Sequence, residues 1–174
     1  MTKVLGILNV TPDSFSDGGN WIDIDSALMR ASQMAAQGAD AIDVGGESTR
    51  PGSRAISIQE ELDRILPPLE KLKSEVALPI SIDTRRVEVA RAAVDLGASI
   101  INDTSALRDD PDLVDLVISK SLDVVLMHRK GTPVDMQESP SYGDVILEIS
   151  EFFRERLDFF RSRGGDPDNV ILDP

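Results

Sequence analysis

Two stretches decide the fold, Gly38-Ala39-Asp40-Ala41-Ile42-Asp43 and, further along, Gly97-Ala98-Ser99-Ile100-Ile101-Asn102. In each, a glycine that ends a helical pattern leads into a short apolar run closing on a polar side chain. A βα unit written twice implies a parallel sheet with helices packed on it. Outward from these two runs, strands are predicted at residues 4–10, 41–44, 79–83, 99–102, 123–128 and 169–173. Between them lie five amphipathic patterns. The first starts near Asp25 with Ala27, Leu28, Ala31, Met34 and Ala35 on one face and ends at Gly38. The second opens on the capping box Ser57-Ile58-Gln59-Glu60 and carries Leu62, Ile65, Leu66 and Leu69, with Pro67-Pro68 expected to kink or stagger it. The third carries Val87, Ala90 and Val94, and the fourth opens on Asp110-Pro111 with Pro at the first helical position. The fifth spans 145–163 and is stopped by Gly164-Gly165.

Two parallel architectures meet this pattern, an open doubly wound sheet and a (β/α)8 barrel. An open sheet gathers function at one switch point, whereas a barrel draws it from the C-terminal ends of many strands. Asn9, Asp43, Asp83, Asn102, His128 and Asp173 stand at or near the ends of all six predicted strands, which favours the barrel. A whole barrel takes about 250 residues. The expected fold is therefore α/β, a (β/α)8 TIM barrel that is incomplete here, with six strands and five helices in 174 residues.

Composition narrows the chemistry. The chain has 18 Lys and Arg against 31 Asp and Glu, a formal net charge of −13, so nucleic acid and anionic membrane are poor partners. With no Cys and one His, disulfides, thiol nucleophiles and Cys/His metal sites are excluded. A bound cation would be a hard one held by oxygen, with Mg²⁺ the best fit. No basic leader followed by an apolar run opens the chain, and no stretch approaches spanning length, so a cytoplasmic location is expected.

Three features carry candidate chemistry. The first strand runs into Asn9-Val10-Thr11-Pro12-Asp13-Ser14-Phe15-Ser16-Asp17-Gly18-Gly19, a polar, glycine-hinged segment offering amide and carboxylate oxygens to a cation; an ordinary turn-rich connection reads the same way. The second runs into Asp43-Val44-Gly45-Gly46-Glu47-Ser48-Thr49-Arg50-Pro51-Gly52, where Arg50 suits a carboxylate or phosphate, or is simply a solvated arginine. Asp83, Asn102 and Asp173 would converge in the barrel mouth. Two carboxylates and an amide there suit a flat heterocycle with adjacent N–H donors and a carbonyl, although each alone is more often a strand-end hydrogen bond.

These segments, together with Ser81 to Thr84, Met127-His128, Gly131-Thr132-Pro133, Met136-Gln137 and Leu172-Asp173-Pro174, resemble the dihydropteroate synthase family in order and context. The resemblance implies a transferase of folate biosynthesis, of the class targeted by sulfonamides. It would join 6-hydroxymethyl-7,8-dihydropterin pyrophosphate to para-aminobenzoate with release of pyrophosphate. It implies that residues 1–174 form the N-terminal portion of a single pterin-binding barrel domain. Asp83, Asn102 and Asp173 would hold the pterin edge, with Met127 lining its pocket. Asn9 and Asp17 would place Mg²⁺, and Asn9, Asp17 and Arg50 would carry the catalysis. Phe15, Thr49, Arg50 and Pro51 would enclose para-aminobenzoate. His128 matches a family histidine and is expected to organise the mouth rather than react; Arg129-Lys130 stands where many relatives carry a less charged pair.

The family's Gly-Phe-Gly-Lys, Ser-Arg-Lys and Arg-X-His motifs do not occur here, so little or no turnover is expected of the fragment. The resemblance also implies homodimers for the full-length enzyme. Two other readings compete. One is a methyltetrahydrofolate-type pterin methyltransferase, which shares the Asp/Asn pterin set but not the first two loop motifs. The other is a non-catalytic pterin-binding or assembly module pairing an open sheet edge with another chain.

Overall fold

A computed structural model describes residues 2–11, 24–47, 55–131 and 141–174. The strands are β1 (Leu5–Asn9), β2 (Ala41–Gly45), β3 (Ile80–Asp83), β4 (Ile100–Asp103), β5 (Asp123–Met127) and β6 (Val170–Asp173). The helices are α1 (Ile24–Ala36), α2 (Ile58–Glu75), α3 (Val87–Asp95), α4 (Asp112–Lys120) and α5 (Val145–Ser162). All five neighbouring strand pairs are parallel, and the strands lie in sequence order from β1 to β6. A doubly wound sheet reverses its order at a switch point; sequential order throughout is the winding of a barrel wall. The wall is not closed, since β1 and β6 stand at its two edges.

Alternation along the strands separates two faces. Leu8, Val44, Ile82, Ile101, Val124 and Leu126 point toward the helices and are buried in two apolar clusters. The first cluster joins β1, β2 and β3 to α1 and α2, while the second joins β4 and β5 to α4 and α5. The opposite face carries the polar strand ends.

The local signals mostly act as read, with shifts that have physical causes. Ser57 caps α2 by accepting the Glu60 N–H at 3.1 Å, while the Glu60 carboxylate reaches Arg64 at 2.7 Å. Helical structure runs through Pro67 and Pro68, and Pro68 is buried on the inner face. At α4 the helix is counted from Asp112, one residue later than expected, although Pro111 already has helical backbone angles (φ −67°, ψ −19°) and Asp110 supplies the cap. Its Oδ1 accepts the Asp112 N–H at 3.1 Å and its Oδ2 accepts the Val87 N–H at 2.8 Å, so one carboxylate serves the first turns of both α3 and α4. Residue Asn169 lies in a 3-10 turn, Pro167–Asn169, rather than in β6, because Asp166 caps that turn through the Asp168 N–H. Arg163 is the C-cap of α5, followed by Gly164 at φ 91°.

Candidate functional site

Register brings the strand ends together. Asn9 pairs in register with Gly45, Gly45 with Asp83, and Asp83 with Asn102. One level deeper, Asp43 lies beside Ser81. One level higher, Met127 lies beside Asp173. In a parallel ladder register partners point to the same side, so Asn9, Asp43, Asp83, Asn102, Met127 and Asp173 share the face opposite the helices. Of the residues expected at the site, the structure therefore unites Asn9, Asp83, Asn102, Met127 and Asp173. Phe15, Asp17, Thr49, Arg50 and Pro51 lie outside the described residues.

Gly45 sets the spacing at the centre of this row. A methyl group there would stand 3.3 Å from Asn9 Oδ1 and 3.4 Å from Asp83 Oδ2. The amide oxygen and the carboxylate thus flank the same gap, which a side chain would crowd. Asn102 Nδ2 donates to Asp43 Oδ2 at 3.0 Å, orienting its amide with the oxygen left for a donor.

Two acids of this face, Asp83 and Asp43, are perturbed. Asp83 is raised to about 8, first by burial and then by the negative charges of Asp43, Glu61, Asp103 and Glu47. Burial also raises Asp43, with hydrogen bonding opposing it. Asp103 points to the other side and is fully buried; burial raises it, while the Ser105 and Leu107 N–H groups, at 2.7 and 2.6 Å, oppose. Those two bonds hold the turn in which Ala106 and Leu107 adopt φ of 53° and 60°. Burial and these neighbouring charges leave Asp83 protonated at neutral pH until a ligand supplies N–H donors or positive charge.

A second set of residues, not foreseen from sequence, ties the rims of successive βα connections. Arg86 pairs with Glu61 at 2.6 Å and with Glu47 at 3.3 Å. Arg85 bridges Glu47 at 3.4 Å and Asp109 at 3.1 Å, and Asp109 meets Arg129 at 3.2 Å. The result is a chain of alternating charge, Glu61, Arg86, Glu47, Arg85, Asp109, Arg129, running from α2 to the end of β5. Glu61 was detectable: it lies on the α2 stripe with Ile65, Pro68, Leu69 and Leu72, where a carboxylate is out of place. The partners of Arg85 and Arg129 come from distant segments and leave no spacing signal.

His128 donates its backbone N–H to the Asp173 carbonyl at 2.7 Å, extending the β5–β6 ladder. Its ring packs edge-on to Phe152 at 5.0 Å and near Tyr142 at 5.9 Å. Burial, then Arg108 and Lys130, push its pKa down, so the imidazole is neutral. Lys130 lies over Tyr142 and binds Glu148 at 2.9 Å and the Ser141 carbonyl at 2.6 Å.

Among the described residues no three His, Cys, Asp or Glu side chains are grouped to hold a metal. Asn9 Oδ1, beside Gly45, is a hard oxygen donor of the kind Mg²⁺ prefers, while Asp17, the other residue expected to place that ion, lies outside the described residues.

A parallel wall wound in barrel order, with carboxylates and an amide at its strand ends, is the architecture of part of a (β/α)8 barrel with its polar groups at the C-terminal mouth. The pterin binding enzyme family matches residues 5–174, and the chain belongs to that family. The dihydropteroate synthase of Synechocystis sp. is 44% identical over 173 residues, covering 99% of this chain and 60% of its own length. That of Escherichia coli K12 is 43% identical over 171 residues, covering 98% and 60%. The crystal structure of Yersinia pestis dihydropteroate synthase with a sulfonamide drug complex superposes with a TM-score of 0.90 at 42% identity, covering 99% of this chain and 62% of that one. The Xanthomonas albilineans enzyme with 4-aminobenzoic acid gives 0.89 at 45% identity, covering 99% and 60%. The chain spans about three-fifths of the length of these relatives.

Proposed function

We propose that the chain forms the pterin-holding wall of a dihydropteroate synthase, which condenses 6-hydroxymethyl-7,8-dihydropterin pyrophosphate with para-aminobenzoate. The observation that carries this reading is the register row Asn9, Gly45, Asp83, Asn102 on the face opposite the helices, with Asn102 held by Asp43. Relatives crystallised with 4-aminobenzoic acid and with 7,8-dihydropteroate support it.

In this reading Asp83, Asn102 and Asp173 bind the pterin edge. Carboxylates accept its N–H groups and the amide both donates and accepts, which fixes the ring in plane and in register. Met127 packs against the ring. Phe15, Thr49, Arg50 and Pro51 enclose para-aminobenzoate, with Arg50 offering a fork to its carboxylate. The bond between the pterin methylene carbon and the pyrophosphate oxygen breaks, and the electron pair leaves with pyrophosphate. The arylamine nitrogen then bonds to that carbon and loses a proton to solvent. Mg²⁺, when bound, neutralises the charge growing on the leaving pyrophosphate. Asn9 and Asp17 would hold it. No strong general base is needed, which agrees with a single neutral histidine.

Residues 1–174 are read as one portion of a single barrel domain, cytoplasmic in location, with homodimers formed by the full-length enzyme. No helix among the described residues is long and apolar enough to cross a membrane. The chain alone is expected to bind pterin with little or no turnover, as measured by dihydropteroate formation from the two substrates. Joined to the remainder of the E. coli relative, it should form product; a soluble chimera that releases no pyrophosphate would sink the reading.

A second reading, an assembly module, rests on β1 and β6 standing as the edge strands of the described sheet, each open to pairing with another chain. A monomeric mass in size-exclusion chromatography would count against it.

A further inference from the structure

Glu61 is a carboxylate that the proposed chemistry does not use, yet it is 1% exposed. A buried ion pair is seldom favourable over an apolar pair of the same volume, so its presence on an otherwise apolar helix stripe calls for a reason other than stability. Its contacts supply one. Oε1 accepts the Thr84 hydroxyl at 2.7 Å and Oε2 accepts Arg86 Nη1 at 2.6 Å. Thr84 Oγ1 also accepts the Arg86 backbone N–H at 3.3 Å, and the Thr84 N–H donates to the Asn102 carbonyl at 3.1 Å. Arg86 is held in turn by the Ile56 carbonyl at 2.8 Å and by Glu47. The residue after Asp83 is thus fixed by its backbone and by both roles of its hydroxyl. The Asp83 carboxyl, by contrast, is acted on by burial and by neighbouring charges, and no hydrogen bond from the described residues holds it. A side chain without a partner of its own takes its direction from its backbone and rotamer.

We propose that Glu61, acting through Thr84 and Arg86, is a positioning residue that holds the backbone behind Asp83 so that its carboxylate meets the pterin edge. This inference rests on the pterin reading above. It explains why a helix on the outer layer spends a buried acid on the segment just past β3. The acids whose charges act on Asp83 are Asp43 on β2, Glu47 after it, Glu61 on α2 and Asp103 on β4. Thr84→Val keeps all four charges and cuts only the hydroxyl link.

The test uses the 174-residue chain with 6-hydroxymethylpterin as the probe, its binding read by fluorescence. Thr84→Val should weaken pterin binding about tenfold, and Thr84→Ser should restore it. A lower Tm with binding within about twofold of the parent would mean a structural role only and overturns the inference. If the parent itself takes no pterin, the pterin reading fails separately. The Asp83 carboxyl ¹³C resonance then decides the positioning claim: a changed shift or titration midpoint in Thr84→Val supports it, and an unchanged signal overturns it.

Discussion

Asp83 shows how the surroundings of one residue set its chemistry. Between its ordinary value of 3.8 and its raised value of about 8, the unfolded chain carries the charge while the folded chain keeps the proton. The folded state binds more protons across that window, so this group lowers stability as pH rises through it. Asp83→Asn removes the slope. Urea midpoints of parent and variant should converge near pH 4 and separate by pH 8, with the variant the more stable by about 1–3 kcal/mol. Pterin N–H donors favour the anion, so parent affinity should rise from pH 6 to about 8 and then level, with proton release seen by calorimetry in buffers of different ionisation enthalpy. Affinity that falls over this range would show that the protonated acid is the binding form. Gly45 belongs to the same scale: Gly45→Ala places a methyl group against Asn9 Oδ1 and Asp83 Oδ2. Pterin binding should drop at least about tenfold while Tm moves by only a few degrees.

At the scale of elements, two joints hold helices in place. Asp110 accepts from the first turns of both α3 and α4, so Asp110→Ala leaves two N–H groups without their acceptor. The expected loss is about 1–3 kcal/mol in denaturant unfolding, with faster hydrogen exchange at Val87 and Asp112. Unchanged exchange at Val87 would refute the double role. The other joint is the end of α5, where a Cβ on Gly165 would overlap the ring of Phe160, which is 1% exposed. Gly165→Ala should cost about 1–3 kcal/mol, because the added methyl group overlaps a buried ring that must shift to admit it.

Across the whole molecule, the charge chain from Glu61 to Arg129 fastens the connections after β2, β3, β4 and β5 to one another. Although burial opposes it, Arg85 and Arg129 hold the Asp109 carboxyl below its usual range. Asp109→Ala should therefore destabilise by about 1–3 kcal/mol near neutral pH, and the difference from the parent should shrink as acid protonates that carboxyl. Arg129 is 8% exposed, and its Nε and Nη1 find no hydrogen-bond partner among the described residues. Arg129→Met should then cost less than Asp109→Ala in thermal unfolding, since Asp109 keeps Arg85 and an apolar chain of similar length leaves no donor stranded.

The sequence by itself determined the βα alternation, the parallel sheet, the order of elements and the polar strand ends, because periodicity, caps and glycine stops are local and act within a few residues. Asp83, Asn102 and Asp173 were legible in the same way, as polar residues closing apolar runs. Only the tertiary structure decided which strand ends share a level, that Asp43 orients Asn102, that Gly45 keeps the space between Asn9 and Asp83, and that Glu61 reaches Thr84 and Arg86. Register, burial and charge coupling join residues far apart in the chain, and their energies exist only once the wall has been wound.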